Sequence, residues 1–187
     1  MPAIVDEPVH VMTAEEYFRL PAEGCPTELV RGQVAEMNPP GFRHGKRCAR
    51  IAYLLSQFLE ERDIGHLVGN DSGIVTERDP DTVRGADVAF YSYGRLPKDA
   101  EPEGYPDAIP ELVFEVLSPA DNWAQILRKV SEYLEAGVLV VCVVDPGQGR
   151  VHVYRSDSAA IELTEGDELT LPDLLPDFHV PVGRFFD

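Results

Sequence analysis

The ten residues 110–119, PELVFEVLSP, constrain the fold of this chain most strongly. From Leu112 to Leu117 the run is apolar except for one acid, Glu115. A short apolar run between prolines is typical of a β-strand that is covered on both faces. An unpaired carboxylate in such a strand costs on the order of several kcal/mol. Glu115 therefore needs a partner, which is either a buried Arg or Lys that serves packing alone or a bound metal ion.

The segment after this strand predicts a βαβ unit. Helix-capping residues stand at 118–121, helical spacing of apolar residues continues through 122–136, and Gly137 is a typical helix end. A second apolar strand follows at 138–144, so the two strands should be parallel with a right-handed crossover. Lys129 lies at the edge of the apolar stripe of the helix. Its ammonium group either stays in water above that surface or reaches the Glu115 strand.

Two further acids are associated with predicted strands nearer the N-terminus. Residues 27–37 predict two short strands joined around 31–32, and Glu28 opens the first of them. The strand ADVAF at 86–90 carries Asp87 at its start. An acid at that position is either a turn residue or part of a site.

A helix predicted at residues 42–62 begins with a basic turn that contains Arg43, His44, Lys46 and Arg47. This turn is either an ordinary solvated helix end or a cationic patch that faces phosphate, helped by the positive end of the helix dipole. Residues 94–109 are rich in Pro, Gly and acids and predict a long exposed loop, a candidate lid or interface segment.

Length and composition indicate one globular domain over residues 1–187, with 1–11 as a loose arm. No run of 18 apolar residues and no basic-then-apolar start is present, so we predict neither a membrane span nor a signal peptide, and a cytoplasmic location. The three cysteines are scattered without a CxxC pair, which indicates incidental thiols rather than disulfides or a zinc site.

Charge and motifs exclude several functions. A net charge of −17 argues against tight non-specific nucleic-acid binding, although a local basic groove remains possible. The phosphate-cradling, dinucleotide-binding and serine-hydrolase motifs are absent, and the five histidines lack metal-binding spacing. Three acids and one lysine remain. Carboxylate ligands of this kind suit Mg²⁺ or Mn²⁺ better than zinc.

Six motifs in this order resemble the Uma-type restriction endonuclease family of the PD-(D/E)XK nuclease superfamily. They are ELVRG at 28–32, PPGFRHG at 39–45, ADVAF at 86–90, PELVFEVLSP at 110–119, KVSEYLEAGV at 129–138 and VVDP at 143–146. The resemblance covers residues 13–186. It implies an α/β fold of the α+β type, a restriction-endonuclease-like core in which helices flank a mixed sheet.

The resemblance also implies a catalytic set. Asp87 and Glu115 match the two acids of the superfamily, and with the backbone carbonyl of Val116 they would hold Mg²⁺ or Mn²⁺. The usual lysine two residues after the second acid is replaced by Leu117, so Lys129 on the following helix would supply that cation. Glu28 would hold a metal-bound water or a second ion.

Implied function and partners follow from the same resemblance. The protein would be a metal-dependent endonuclease acting on nucleic acid, most simply DNA, and a homodimer is expected for an enzyme that cuts two strands. Arg43, His44, Lys46 and Arg47 would contact the nucleic-acid backbone. The alternative is a dimeric binding or regulatory module that keeps the fold with little or no cleavage activity, which the strong negative charge favours.

Overall fold

A computed structural model describes residues 10–21, 24–119 and 121–187. The predicted arm at 1–11 lies largely outside these residues. The helices are α1 (Ala14–Phe18), α2 (Phe42–Glu60) and α3 (Trp123–Ala136), and a 3-10 turn occupies Val182–Phe185. The strands are β1 (Thr27–Val30), β2 (Gln33–Glu36), β3 (Gly65–Glu77), β4 (Thr82–Ser92), β5 (Leu112–Val116), β6 (Val140–Asp145), β7 (Arg150–Tyr154), β8 (Ile161–Thr164), β9 (Glu168–Leu171) and β10 (Leu175–Pro181).

A mixed sheet of eight strands forms the centre of the fold, in the order β2-β1-β4-β5-β6-β7-β8, with β3 also paired to β4. Among the strands of the described residues only β5 and β6 are parallel to each other, and Glu115 lies opposite Val143 in their register. The predicted βαβ unit is therefore confirmed, with α3 as its crossover helix. The cap of α3 is Asn122, whose side chain accepts a hydrogen bond from the Ala124 N–H, rather than a residue of 118–121.

Helices α2 and α3 cover opposite faces of the sheet. Alternate residues of a strand point to opposite faces, so Phe114 and Val116 pack in the cluster under α2, whereas Val113 packs in the cluster under α3. The second, two-stranded sheet of β9 and β10 packs into the α2-side cluster through residues such as Phe178. This mixed sheet with flanking helices confirms the predicted fold class.

The predicted hairpin at 27–37 is present as β1 and β2. Its turn residues Arg31 and Gly32 have φ angles of 51° and 73°, which is the left-handed backbone that two-residue hairpins need. Arg31 adopts it without being glycine because the paired strands on both sides fix the turn.

Strand β3 contains a bulge that matters for the site. Gly69 pairs with Val88 and Ser72 with Ala86, so Asn70 and Asp71 together oppose a single residue of β4. Both have positive φ angles, 62° and 55°, a conformation that Asn and Asp tolerate better than other non-glycine residues. Beside this bulge, Asp71 lines the same cavity as Asp87 and lies close enough to feel its charge.

The segment 94–109 is held by contacts with the body of the fold. The Arg95 guanidinium donates to the carbonyls of Ile109 and Gly137, and the Tyr105 ring packs against Tyr17 and Phe18. A role as a lid or interface stays a prediction. No helix within the described residues is long and apolar enough to cross a membrane.

Candidate functional site

Strand β4 changes partner beside Asp87. Residues 88–90 pair with β5, whereas Val83 pairs with β1, so the strands diverge between these points. Continuing the Val88–Phe114 register by one step places Asp87 next to Glu115. Asp87 Oδ2 accepts the Val116 N–H at 2.6 Å, and the side chain is only 6% exposed. Asp87 thus contacts the N–H group of Val116. Coordination of a metal ion by the Val116 carbonyl stays a prediction.

Both oxygens of Glu115 are hydrogen-bonded to α3. Its Oε2 accepts from Lys129 Nζ at 3.0 Å, and its Oε1 accepts from the Tyr133 hydroxyl at 2.8 Å. Burial raises the pKa of Glu115 to about 7; the charge of Asp87 acts in the same direction, and Lys129 and Tyr133 act against it. Glu115 is therefore an acid whose negative charge the protein only partly compensates.

Lys129 points into the fold instead of into water. Its ammonium group lies 3.0 Å from Glu115 Oε2, 3.1 Å from Glu28 Oε1 and 3.1 Å from the Gly85 carbonyl, so its three donors face three acceptors. Burial alone would lower the pKa of Lys129, but Glu115 and Glu28 outweigh burial and raise it. The predicted contact between Lys129 and Glu115 is confirmed.

Glu28 belongs to a buried charge network. Its Oε2 accepts from Arg84 NH1 at 2.7 Å, and its Oε1 accepts from the Gly85 N–H at 3.1 Å as well as facing Lys129. Arg84 also binds Glu132 of α3 through two N–H groups, at 2.5 and 2.9 Å. Both Glu28 oxygens are thus engaged with protein donors. This arrangement suits holding Lys129 in place better than holding a metal-bound water.

Residues of α2 approach Asp87 from the other side. His44 Nε2 lies 3.2 Å from Asp87 Oδ2, and the Cys48 thiol lies 3.4 Å from His44 Nδ1. The hydrogen bond with Asp87 raises the pKa of His44, although burial opposes this. Ligand atoms of the three side chains all lie within 4.8 Å of one another. The sequence-based view of the histidines and cysteines as unrelated to metal binding missed this cluster, although i, i+4 spacing on α2 was a usable signal.

A cavity of about 270 Å³ opens between α2 and the β3–β4 bulge. Its lining includes Pro40, His44, Cys48, Asp71 and Asp87. Burial and the charge of Asp87 raise the pKa of Asp71, so this carboxylate also lacks full compensation. The cavity therefore places two carboxylates, those of Asp71 and Asp87, beside the His44 imidazole.

The basic first turn of α2 divides into two parts. Arg43 and Lys46 are exposed, but Arg47 donates to the Asp187 carbonyl at 2.7 Å, and His44 points inwards to Asp87. Phe42, at the start of the helix, is 87% exposed. Two cations and an aromatic ring are therefore exposed in the helical turn whose His44 lines the cavity.

The chain resembles known proteins both in its fold and in its sequence family. The fold is nuclease-like: the chain resembles a crystal structure described as a putative nuclease belonging to DUF820 from Anabaena variabilis ATCC 29413, with a TM-score of 0.79 and 17% identity over 94% of this chain and 97% of that chain. The chain belongs to the Uma2 family, described as "Putative restriction endonuclease", whose model matches residues 14–183. No curated protein matches the sequence. The predicted family is therefore confirmed.

Proposed function

We propose that this protein is a divalent-metal-dependent nuclease that hydrolyses phosphodiester bonds of DNA at the cavity beside Asp87 and Glu115. One observation carries the proposal. The ammonium group of Lys129 lies 3.0 Å from Glu115, although the chain has Leu117 where the resemblance leads one to expect a lysine. A buried Lys that reaches the second acid from the crossover helix supplies the missing cation.

The charge balance of the site supports a bound cation. Five acidic side chains lie near Lys129 and Arg84, the two fixed cations where strands β1 and β5 diverge along β4; they are Glu28, Asp71, Asp87, Glu115 and Glu132. Carboxylate oxygens are the ligands that Mg²⁺ and Mn²⁺ prefer. Asp87 and Glu115 would hold the ion, with the Val116 carbonyl as a further proposed ligand. A bound ion would supply Lewis-acid stabilisation of the phosphate and a more acidic water.

Within this proposal the protein's own residues have separate tasks. The positive charge of the Lys129 ammonium would stabilise the negative charge that develops on the phosphate, and a charge fixed in advance needs no reorganisation. Glu28 would act through Lys129 as a positioning residue, since it pairs with both Lys129 and Arg84. The Tyr133 hydroxyl would hold Glu115 in orientation through its 2.8 Å hydrogen bond.

The exposed residues in the first turn of α2 would engage the substrate. Arg43 and Lys46 can contact phosphates despite a net charge of −17, because the interaction is local and the Debye length is about 8 Å at physiological salt. The ring of Phe42 can stack on a base, which single-strand-binding proteins commonly exploit. Binding should consequently be weak and strongly dependent on salt.

The test is incubation with plasmid DNA, single-stranded DNA and RNA at low salt, with Mg²⁺ or Mn²⁺. We expect metal-dependent cleavage of DNA that the Glu115→Gln substitution abolishes. The control Arg128→Met, which changes an exposed residue of α3, should retain this cleavage. The alternative is a binding module without cleavage, and the engagement of both Glu115 oxygens by α3 favours it. Saturable DNA binding by the wild-type protein without any cleavage would establish that alternative.

A further inference from the structure

The cluster of His44, Cys48 and Asp87 differs in chemistry from the acids proposed to hold Mg²⁺. It offers an imidazole nitrogen, a thiol sulfur and a carboxylate oxygen, one from each side chain. Hard ions such as Mg²⁺ bind oxygen and discriminate against thiolate, whereas Zn²⁺ and related ions accept all three donors. The donor set therefore selects a thiophilic transition metal.

The geometry is close to what such an ion needs. Bond lengths of about 2.0–2.3 Å in tetrahedral zinc sites correspond to ligand separations of about 3.3–3.8 Å. In this protein His44 Nε2 lies 3.2 Å from Asp87 Oδ2, and the three ligand atoms fall within 4.8 Å of one another. A contraction of about 1 Å completes the set. His44 and Cys48 share one face of α2, so a side-chain movement suffices.

The accessibility of the three side chains and their charge also fit a bound thiophilic ion. All three residues line the same cavity, as does Asp71, and a water molecule can occupy the fourth position of a tetrahedral ion. Burial and the charge of Asp87 raise the pKa of the Cys48 thiol in the metal-free protein. A bound cation reverses this effect, since a coordinating thiol loses its proton.

We propose that His44, Cys48 and Asp87 form a site for Zn²⁺ or a related thiophilic ion, and that occupancy of this site inhibits the nuclease. Inhibition follows because Asp87 would serve both ions, and an ion held towards α2 removes this carboxylate from the pair with Glu115. The inhibition rests on the proposed function, whereas the binding site itself does not.

Co²⁺ is the probe for the site, because a thiolate ligand gives Co²⁺ a near-ultraviolet charge-transfer band. We expect this band in the wild-type protein and its loss in the Cys48→Ser variant. The matched control is Cys25→Ser, which changes an exposed thiol and should keep the band. Zn²⁺, measured by displacement of Co²⁺, should bind Cys48→Ser at least about 100-fold more weakly, since outer-shell contacts alone contribute 10–100-fold. His44→Gln should weaken Zn²⁺ binding comparably.

A second measurement separates the site from the nuclease activity. Micromolar Zn²⁺ should inhibit Mg²⁺-supported cleavage by the wild-type protein and should inhibit Cys48→Ser only at much higher concentration. Absence of the charge-transfer band in the folded wild-type protein, or its persistence in Cys48→Ser, overturns the proposed site. A Cys48-dependent band together with inhibition that Cys48→Ser does not relieve overturns the inhibitory role while leaving the site in place. Absence of any cleavage, with the band present, contradicts the proposed function and not the site.

Discussion

Replacing Lys129 with methionine removes one positive charge from the buried network while keeping a side chain of similar length. The ammonium group contacts Glu115, Glu28 and the Gly85 carbonyl, and the side chain is 11% exposed. Removing one partner of a buried ion pair typically costs about 3–5 kcal/mol, because the other charge is left uncompensated. Glu28 keeps its contacts with Arg84 and the Gly85 N–H, so Glu115 bears most of the loss.

Protonation of Glu115 limits this loss at low pH. Its pKa is already about 7, and removal of the neighbouring cation raises it further. At pH 5.5 Glu115 is protonated, and the variant should lose only about 1–2 kcal/mol through its missing hydrogen bonds. At pH 8.5 the loss should reach about 3–5 kcal/mol. The latter corresponds to a decrease in melting temperature of about 6–20 °C for a protein of this size.

Urea-induced unfolding at the two pH values, without divalent ions, measures this difference. Arg128→Met is the matched control because Arg128 is exposed on the same helix, and it should change the free energy of unfolding by less than about 0.5 kcal/mol. Adding Glu115→Gln to Lys129→Met should recover most of the loss at pH 8.5. An equal loss at both pH values, or no loss at pH 8.5, would refute the buried ion pair.

Four further outcomes are expected. The wild-type free energy of unfolding should fall as the pH rises from about 4.5 to about 7, by about 3 kcal/mol, because Glu115 binds its proton more tightly folded than unfolded; a flat urea-unfolding profile contradicts this. Mg²⁺ at ten times its Kd should raise the melting temperature by about 3–6 °C, and Glu115→Gln should abolish the increase. Tyr133→Phe removes a donor to the charged form of Glu115, so the acidic limb of a cleavage pH profile should move upwards. Arg43→Ala with Lys46→Ala should weaken DNA binding and reduce its salt dependence by about 1–2 units of slope, measured by fluorescence anisotropy.

Local patterns explain why much of the fold followed from the sequence. The β5–α3–β6 unit is encoded by two apolar runs and a helix between them, and the predicted helix at 122–136 differs from Trp123–Ala136 by one residue. The contact of Lys129 with Glu115 was one of two alternatives that the pattern left open, and the family resemblance favoured it. The burial of Lys129 did not follow. The charge network with Glu28 and Glu115 makes Lys129 part of the stability of the site.

Long-range pairs were beyond the reach of sequence patterns. Arg84 meets Glu28 across 56 residues and Glu132 across 48, and no periodicity couples such positions. Tyr133 was not part of the predicted buried stripe of α3, and its hydroxyl contact with Glu115 depends on the exact packing of that helix. Asp71 lies near Asp87 because of the bulge in β3. That bulge is a shift in the pairing of β3 with β4, which no pattern within β3 itself predicts. His44 and Cys48 carried a detectable signal, because residues four apart on a helix share a face.

The position of Asp87 between two layers of the fold links the two proposals. Asp87 accepts a hydrogen bond from Val116 of β5, the strand whose Glu115 contacts α3. Asp87 also contacts His44, which belongs to α2 on the other face of the sheet. An oxygen-preferring ion would draw Asp87 towards Glu115, and a thiophilic ion would draw it towards Cys48. One carboxylate cannot satisfy both arrangements at once. The chemical hardness of the bound ion would therefore determine whether the two acids act as a pair.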